Sequence, residues 1–172
     1  MTVNRNRLPD NTSLVMPRLV CRDAAAEMEF CRRTFAAEEL NRRLGPDGSV
    51  AHGLLKISGE MIMVEGEWPG LPSRAPATDG TSPVVIFVYV PDVDRRVENA
   101  LENGARVLVP LQDQFWGDRI AWFMDPAGHV WTVASRIEET TAEERTSRWE
   151  SVLAEGKIQG GESGDRSSDA GR

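Results

Sequence analysis

At 172 residues the chain suits one domain or two fused half-domains, and its 40% hydrophobic and 27% charged content is ordinary for a globular protein. A formal net charge of −7 argues against nucleic acid, which needs a basic face, and against an anionic membrane surface. No apolar run approaches the roughly 18 residues of a membrane span, and Met1 to Asn11 lacks the apolar centre of a secretion signal. The expected compartment is therefore the cytoplasm. Two cysteines, Cys21 and Cys31, are too few for a disulfide framework and read as buried reduced thiols.

In chain order, residues 1–12 read as a polar arm. Leu14 to Cys21 alternates and is expected to form a strand, with Pro17 marking an edge or a bulge. Asp23 is placed to cap a helix on which Ala24, Met28, Cys31 and Phe35 share a stripe at i, i+4, i+7 and i+11. A strand is expected at Glu38 to Arg43, then a Pro46-Asp47-Gly48 turn. Strands at Val50 to Ile57 and Met61 to Glu65 follow. Residues 67–81 are rich in Pro, Gly and Ser and read as a linker.

The pattern then repeats. Val84 to Val90 is the most strand-prone run. Asp92 caps a second helix with Val93, Val97, Ala100 and Leu101 on one face, and Gly104 suits its end. Strands are expected at Arg106 to Val109, Ile120 to Met124 and His129 to Ala134, with a turn at Asp125-Pro126-Ala127-Gly128. Strand, helix, strand, strand, strand thus occurs twice. Arg22-Asp23-Ala24 matches Pro91-Asp92-Val93, and Phe35-Ala36-Ala37 matches Asn103-Gly104-Ala105, at an offset of 68 to 69 residues. Thr141-Ala142-Glu143-Glu144 fits a capping box, so 138–154 is expected to be a C-terminal helix with Trp149, Val152 and Leu153 on its apolar face. Residues 155–172 are Gly, Ser and charge, and read as disordered.

Several of these pieces resemble the vicinal-oxygen-chelate superfamily, the glyoxalase/bleomycin-resistance/dioxygenase fold, in its PhnB-like branch. They are Leu19 to Ala26, Phe30 to Leu40, Gly45 to Gly48, the strand around His52, Val90 to Asp94, Phe115-Trp116-Gly117-Asp118-Arg119, and the Asp125 to Trp131 hairpin. The family usually has Tyr at the Cys31 position and Gly at Ala36. The resemblance implies an α+β fold: two tandem βαβββ modules at about 13–66 and 82–137, forming a U-shaped mixed sheet with helices on the convex face and a ligand cup on the concave one. It also implies a homodimer whose cup the partner chain completes.

In metal-using members, each module gives one ligand from its first strand and one from its last. Those positions correspond here to Met16, Glu65, Val85 and Thr132, of which only Glu65 suits a hard or borderline cation. The expected cofactor is therefore none, and no metal residues are assigned; a divalent metal is the alternative. Strand alternation puts His52 on the cup face, and imidazole is the side chain suited to proton exchange near neutrality. His52 and Glu65 are accordingly the candidate catalytic pair, against the plainer reading of a structural histidine. His129 reads as a turn or interface residue.

Alternation also sends Val85, Phe87 and Tyr89 toward the cup, with Met16, Arg18, Met61, Met63, Trp122 and Thr132 beside them. Trp116 and Trp68 come from loops that can close over it; Asp118 and Arg119, beside Trp116, read either as part of that site or as a structural ion pair or turn contacts. Such a lining, apolar and aromatic with a few polar groups, is that of an organic-ligand pocket. The resulting reading is a glyoxalase-like, bleomycin-resistance-type protein that binds a small organic, aromatic ligand without the usual metal. Two alternatives stand: an enzyme of the same superfamily (a lyase, isomerase or ring-forming catalyst using a metal or a His/Glu base), and a protein-interaction module.

Overall fold

The computed structural model describes residues 12–77 and 82–156. The expected terminal arm and tail fall on residues 1–11 and 157–172, and the end of the linker on 78–81, all outside the described residues. The first module runs β1 (Arg18–Cys21), α1 (Ala24–Phe35), β2 (Glu38–Leu44), β3 (Val50–Ile57) and β4 (Glu60–Gly66). The second runs β5 (Val85–Tyr89), α2 (Val93–Glu102), β6 (Arg106–Asp113), β7 (Asp118–Met124) and β8 (Val130–Arg136), and α3 (Ala142–Ala154) follows. Each module forms its own four-stranded mixed sheet, ordered β1-β4-β3-β2 and β5-β8-β7-β6. The first strand of each pairs in parallel with the last, which the intervening helix makes possible.

Local chemistry sets the helix ends. The Asp23 carboxylate accepts from the Ala26 N–H at 2.9 Å, and Asp92 accepts from the Arg95 N–H at 3.0 Å. Helix α1 closes on Ala36 in the left-handed region at φ 53°, the conformation a glycine takes without steric cost. The Thr141–Glu144 capping box starts α3 as expected. Ala24, Met28, Cys31 and Phe35 all turn inward from α1. Gly53 on β3 lets that helix approach: a Cβ there would overlap the Met28 sulfur.

The two modules share one core. From α1, Phe35 lies 4.7 Å from the Trp131 ring on β8 and 6.2 Å from Phe123 on β7, centroid to centroid, while Phe30 meets Phe123 edge-on at 6.3 Å. Each of these buried rings contributes roughly 1.5–3 kcal/mol on leaving water. Arg96 of α2 donates to the Thr34 carbonyl at the end of α1, tying the helices together.

Strand ends and burial differ from the sequence expectation at several points. β1 starts at Arg18, not Leu14, because Pro17 has no N–H for the ladder; its carbonyl still accepts from the Met63 N–H. β6 extends to Asp113 and β7 begins at Asp118, so Gln112, Asp113, Asp118 and Arg119 belong to a hairpin. Leu101 is exposed and not on the buried face of α2. No residue of α3 is buried; its Trp149 instead packs on Phe115 at 5.5 Å.

Candidate functional site

Opposite the helices, each sheet presents a second face. In the first module β4 lies between β1 and β3, so Glu65 is flanked by residues of both. Its Oε2 pairs with the Arg18 guanidinium at 2.5 Å, and its Oε1 meets His52 Nδ1 at 2.8 Å. Glu65 is nearly buried, whereas Arg18 and His52 are partly open to solvent. A carboxylate accepting from Nδ1–H leaves the His52 Nε2 lone pair free to accept a proton or a ligand hydrogen bond. Met63 sits opposite both Arg18 and Leu54, giving this polar trio an apolar border.

In the second module the register sets Phe87, Thr132 and Trp122 side by side across β5, β8 and β7. Tyr89 continues this face on β5, its ring 5.2 Å from Phe87. Phe87 and Tyr89 are 50% and 52% exposed, far more than isolated core-facing rings would be. Asp118 organises the end of the platform. Its carboxylate is 1% exposed, accepts from the Tyr89 hydroxyl at 2.9 Å and from the Trp116 indole N–H at 2.8 Å, and pairs with Arg136 at 3.1 Å. The hydrogen bond to a carboxylate holds the Tyr89 phenol above its ordinary pKa.

Between the modules, a cavity of about 350 Å³ is lined by Val15, Pro17, Met61, Ile62, Ile86, Phe87 and Tyr89, with Trp131 as its floor. A second cavity, also about 350 Å³, lies along Arg18 to Val20 and reaches Val84, Arg74 and His129.

The structure therefore joins Arg18, His52, Glu65 and Met63 on one face, and Val85, Phe87, Tyr89, Trp122 and Thr132 on another. Trp116 is held by Asp118 at the edge of the second. Arg119 lies on the opposite side of β7, paired with Asp94 of α2 and Asp113, because alternation turns it toward the helices with Ala121 and Phe123. Met16 is half-buried ahead of β1, and Trp68 is exposed in the linker and borders neither cavity. His129 is buried, its Nε2 3.5 Å from the Cys21 sulfur. Sequence reasoning left Asp118 undecided between turn contact and site; its position beside Gly117 marks the turn but nothing local shows that Tyr89 reaches it.

The donor set does not fit a catalytic cation. Met16 and Val85 offer no suitable atom, and the one carboxylate, Glu65, is already engaged by Arg18 and His52. Among the described residues, no group of three or more His, Cys, Asp or Glu is arranged to hold a metal.

Comparison with known proteins places this architecture. The model of the Glyoxalase/Bleomycin resistance protein/Dioxygenase superfamily matches residues 13–133, and the chain belongs to that superfamily. It is 40% identical over 131 residues to an uncharacterised protein of Mycobacterium tuberculosis, covering 74% of this chain and 77% of that one. TioX from Micromonospora sp. ML1 is similar at 27% identity and a TM-score of 0.58, covering 72% of this chain and 98% of that one. The fosfomycin resistance protein FosX from Listeria monocytogenes, solved with Mn(II) and sulfate, shares the fold at 19% identity and a TM-score of 0.57, covering 80% and 97%.

Proposed function

We propose that the chain is a small-molecule binding protein of this superfamily, taking a planar organic ligand without a catalytic metal. The observation that carries this reading is the pairing of a metal-incompetent donor set with an open aromatic platform, Phe87, Tyr89 and Trp122, fixed at its edge by the Asp118–Trp116 bond. Flat rings stack on such a surface, and the methionines nearby adapt to irregular outlines. The Phe115 to Arg119 stretch supports placement in the PhnB-like branch. The exposed apolar run of Val84, Phe87 and Tyr89 supports a second copy of the chain as the body that completes the pocket. Cytoplasmic placement belongs to the same reading; among the described residues no helix is long and apolar enough to cross a membrane.

An enzymatic alternative has one observation in its favour, the His52–Glu65 dyad at 2.8 Å, with no partner to Nε2 among the described residues. In that reading His52 is the base and Glu65 fixes its tautomer.

Tryptophan fluorescence of the full chain, titrated with a panel of planar antibiotics and aromatic metabolites in the presence of chelator, tests the binding reading. Saturable quenching by at least one planar compound is expected, weakened about tenfold in Phe87→Ala, equivalent to about 1.4 kcal/mol. Absence of quenching by every planar compound would favour the protein-interaction reading instead.

A further inference from the structure

We propose that Glu27 and Asp125 share one proton across the seam between the modules, and that its loss at alkaline pH opens the seam. Glu27 belongs to α1 of the first module, and Asp125 to the β7–β8 turn of the second. Glu27 is 1% exposed and Asp125 2% exposed. Among the described residues, Oε1 of Glu27 receives only the Cys31 thiol, at 3.4 Å, and Oε2 has no donor. Asp125 is better supplied, with one acceptor site left on each oxygen: Oδ1 accepts from the His129 N–H at 2.8 Å and Oδ2 from the Trp131 indole at 2.7 Å. The two carboxyl groups lie within hydrogen-bond reach of each other, and Glu27 Oε2 lacks any other donor, so a single proton on Glu27 donated to Asp125 satisfies both.

The surroundings offer no compensating charge inside the cluster. Facing the pair are Cys31 from α1, Cys21 from the end of β1, and His129 from the turn; Asp23 and Arg22 lie at the outer edge. Burial lowers the His129 pKa and raises those of both thiols, so each of these groups stays neutral near pH 7. Burial first, and the Asp125 charge second, push Glu27 well above the usual carboxylate range; burial also raises Asp125. A cavity of about 250 Å³ lined by Arg22, Asp23, Ala26, Glu27, Pro126 and Ala127 gives the carboxyl its route to solvent.

The direction of the effect follows from linkage. With folded-state values raised above unfolded ones, the contribution of the pair is fully present below the ordinary carboxylate range. It is lost as pH climbs through the raised folded values. Beyond that, two anions share a dry site, and separating the modules is the available relief. The inference is independent of the ligand reading.

Both cysteines of the chain are buried in this cluster, so thiol labelling reports its opening. Labelling rates of the full chain are measured across a pH series, each divided by the rate of free cysteine at the same pH. The ratio is expected to rise at least tenfold from neutral to alkaline pH in the wild type. In Glu27→Gln, whose amide supplies a permanent donor to Asp125, it is expected to stay flat. Equal profiles in the two proteins, or a flat ratio in the wild type, overturn the proposal. Infrared difference spectra provide a check that does not depend on the variant. The wild type at neutral pH should show the carbonyl stretch of a protonated carboxylic acid, vanishing as labelling begins. Absence of that band, or its disappearance without faster labelling, also overturns it.

Discussion

Alanine at Gly117 is expected to destabilise the protein by about 3 kcal/mol and to release the Trp116 loop from α3. Gly117 closes the turn between β6 and β7, where the Gln114 N–H bonds to the Asp118 carbonyl and the Gly117 N–H to the Gln114 carbonyl. Its φ is +92°, a region that costs an L-residue about 1–2 kcal/mol. A Cβ there would also overlap the Glu138 carbonyl oxygen and come within 3.3 Å of Arg136 Nη1. The Glu138 backbone cannot withdraw freely, because the Ile137 and Glu138 N–H groups both donate to the Gly117 carbonyl, at 3.0 and 3.1 Å. Overpacking therefore adds to the conformational cost. Gly59 supplies the control: its φ is +93° but nothing lies within 4 Å of a Cβ, so Gly59→Ala should lose only the conformational part. Chemical denaturation of both variants measures the difference. Equal losses would show that the Glu138 contact contributes nothing.

Removing the Asp118 carboxylate is the second large change. In Asp118→Ala the Tyr89 hydroxyl, the Trp116 indole and the Arg136 guanidinium all lose a partner at a site that is 1% exposed. Breaking one side of a buried charged cluster costs about 3–5 kcal/mol, because the groups left behind stay partly desolvated. Arg136 is half-open to water, so the value belongs at the lower end of that range. A specific readout accompanies the stability loss. Tyr89 is the only tyrosine, and in the wild type Asp118 holds its phenol above the ordinary value of 10.0. Ultraviolet titration of tyrosinate should therefore move to lower pH in the variant, together with a red shift of Trp116 emission as its indole meets water. An unmoved Tyr89 titration would contradict the geometry assigned to Asp118.

The repeated architecture was legible because its signals are local. Asp23 and Asp92 cap the two helices, β3 alternates with one buried face, and β5 alternates between exposed and partly buried positions. Alternation within β3 put His52 on the cup face, and family correspondence singled out Glu65; only the structure shows that β4, by lying between β1 and β3, makes Glu65 the bridge to Arg18 and His52. Arg119 went astray for a related reason. With residues 115–119 read as a loop, alternation was not applied to it, whereas β7 already begins at Asp118. The seam was missed because an acidic residue on an amphipathic helix is ordinarily assigned to solvent. Its signal was nonetheless present: Glu27 stands three residues after Ala24 and four before Cys31, on the buried stripe. What Asp125 does across the seam depends on tertiary placement and leaves no mark in either segment alone.

On the proposed reading, the hollow of this superfamily member does not grip a catalytic cation and takes an organic ligand on its aromatic, methionine-bordered surface. Elemental analysis of the full chain, purified without chelator and then dialysed against excess Mn(II), Zn(II), Ni(II) or Fe(II) before removal of free metal, tests it most directly. The account predicts far less than one ion per chain for every metal. One retained equivalent, lost on substitution of Glu65 or His52, would contradict it.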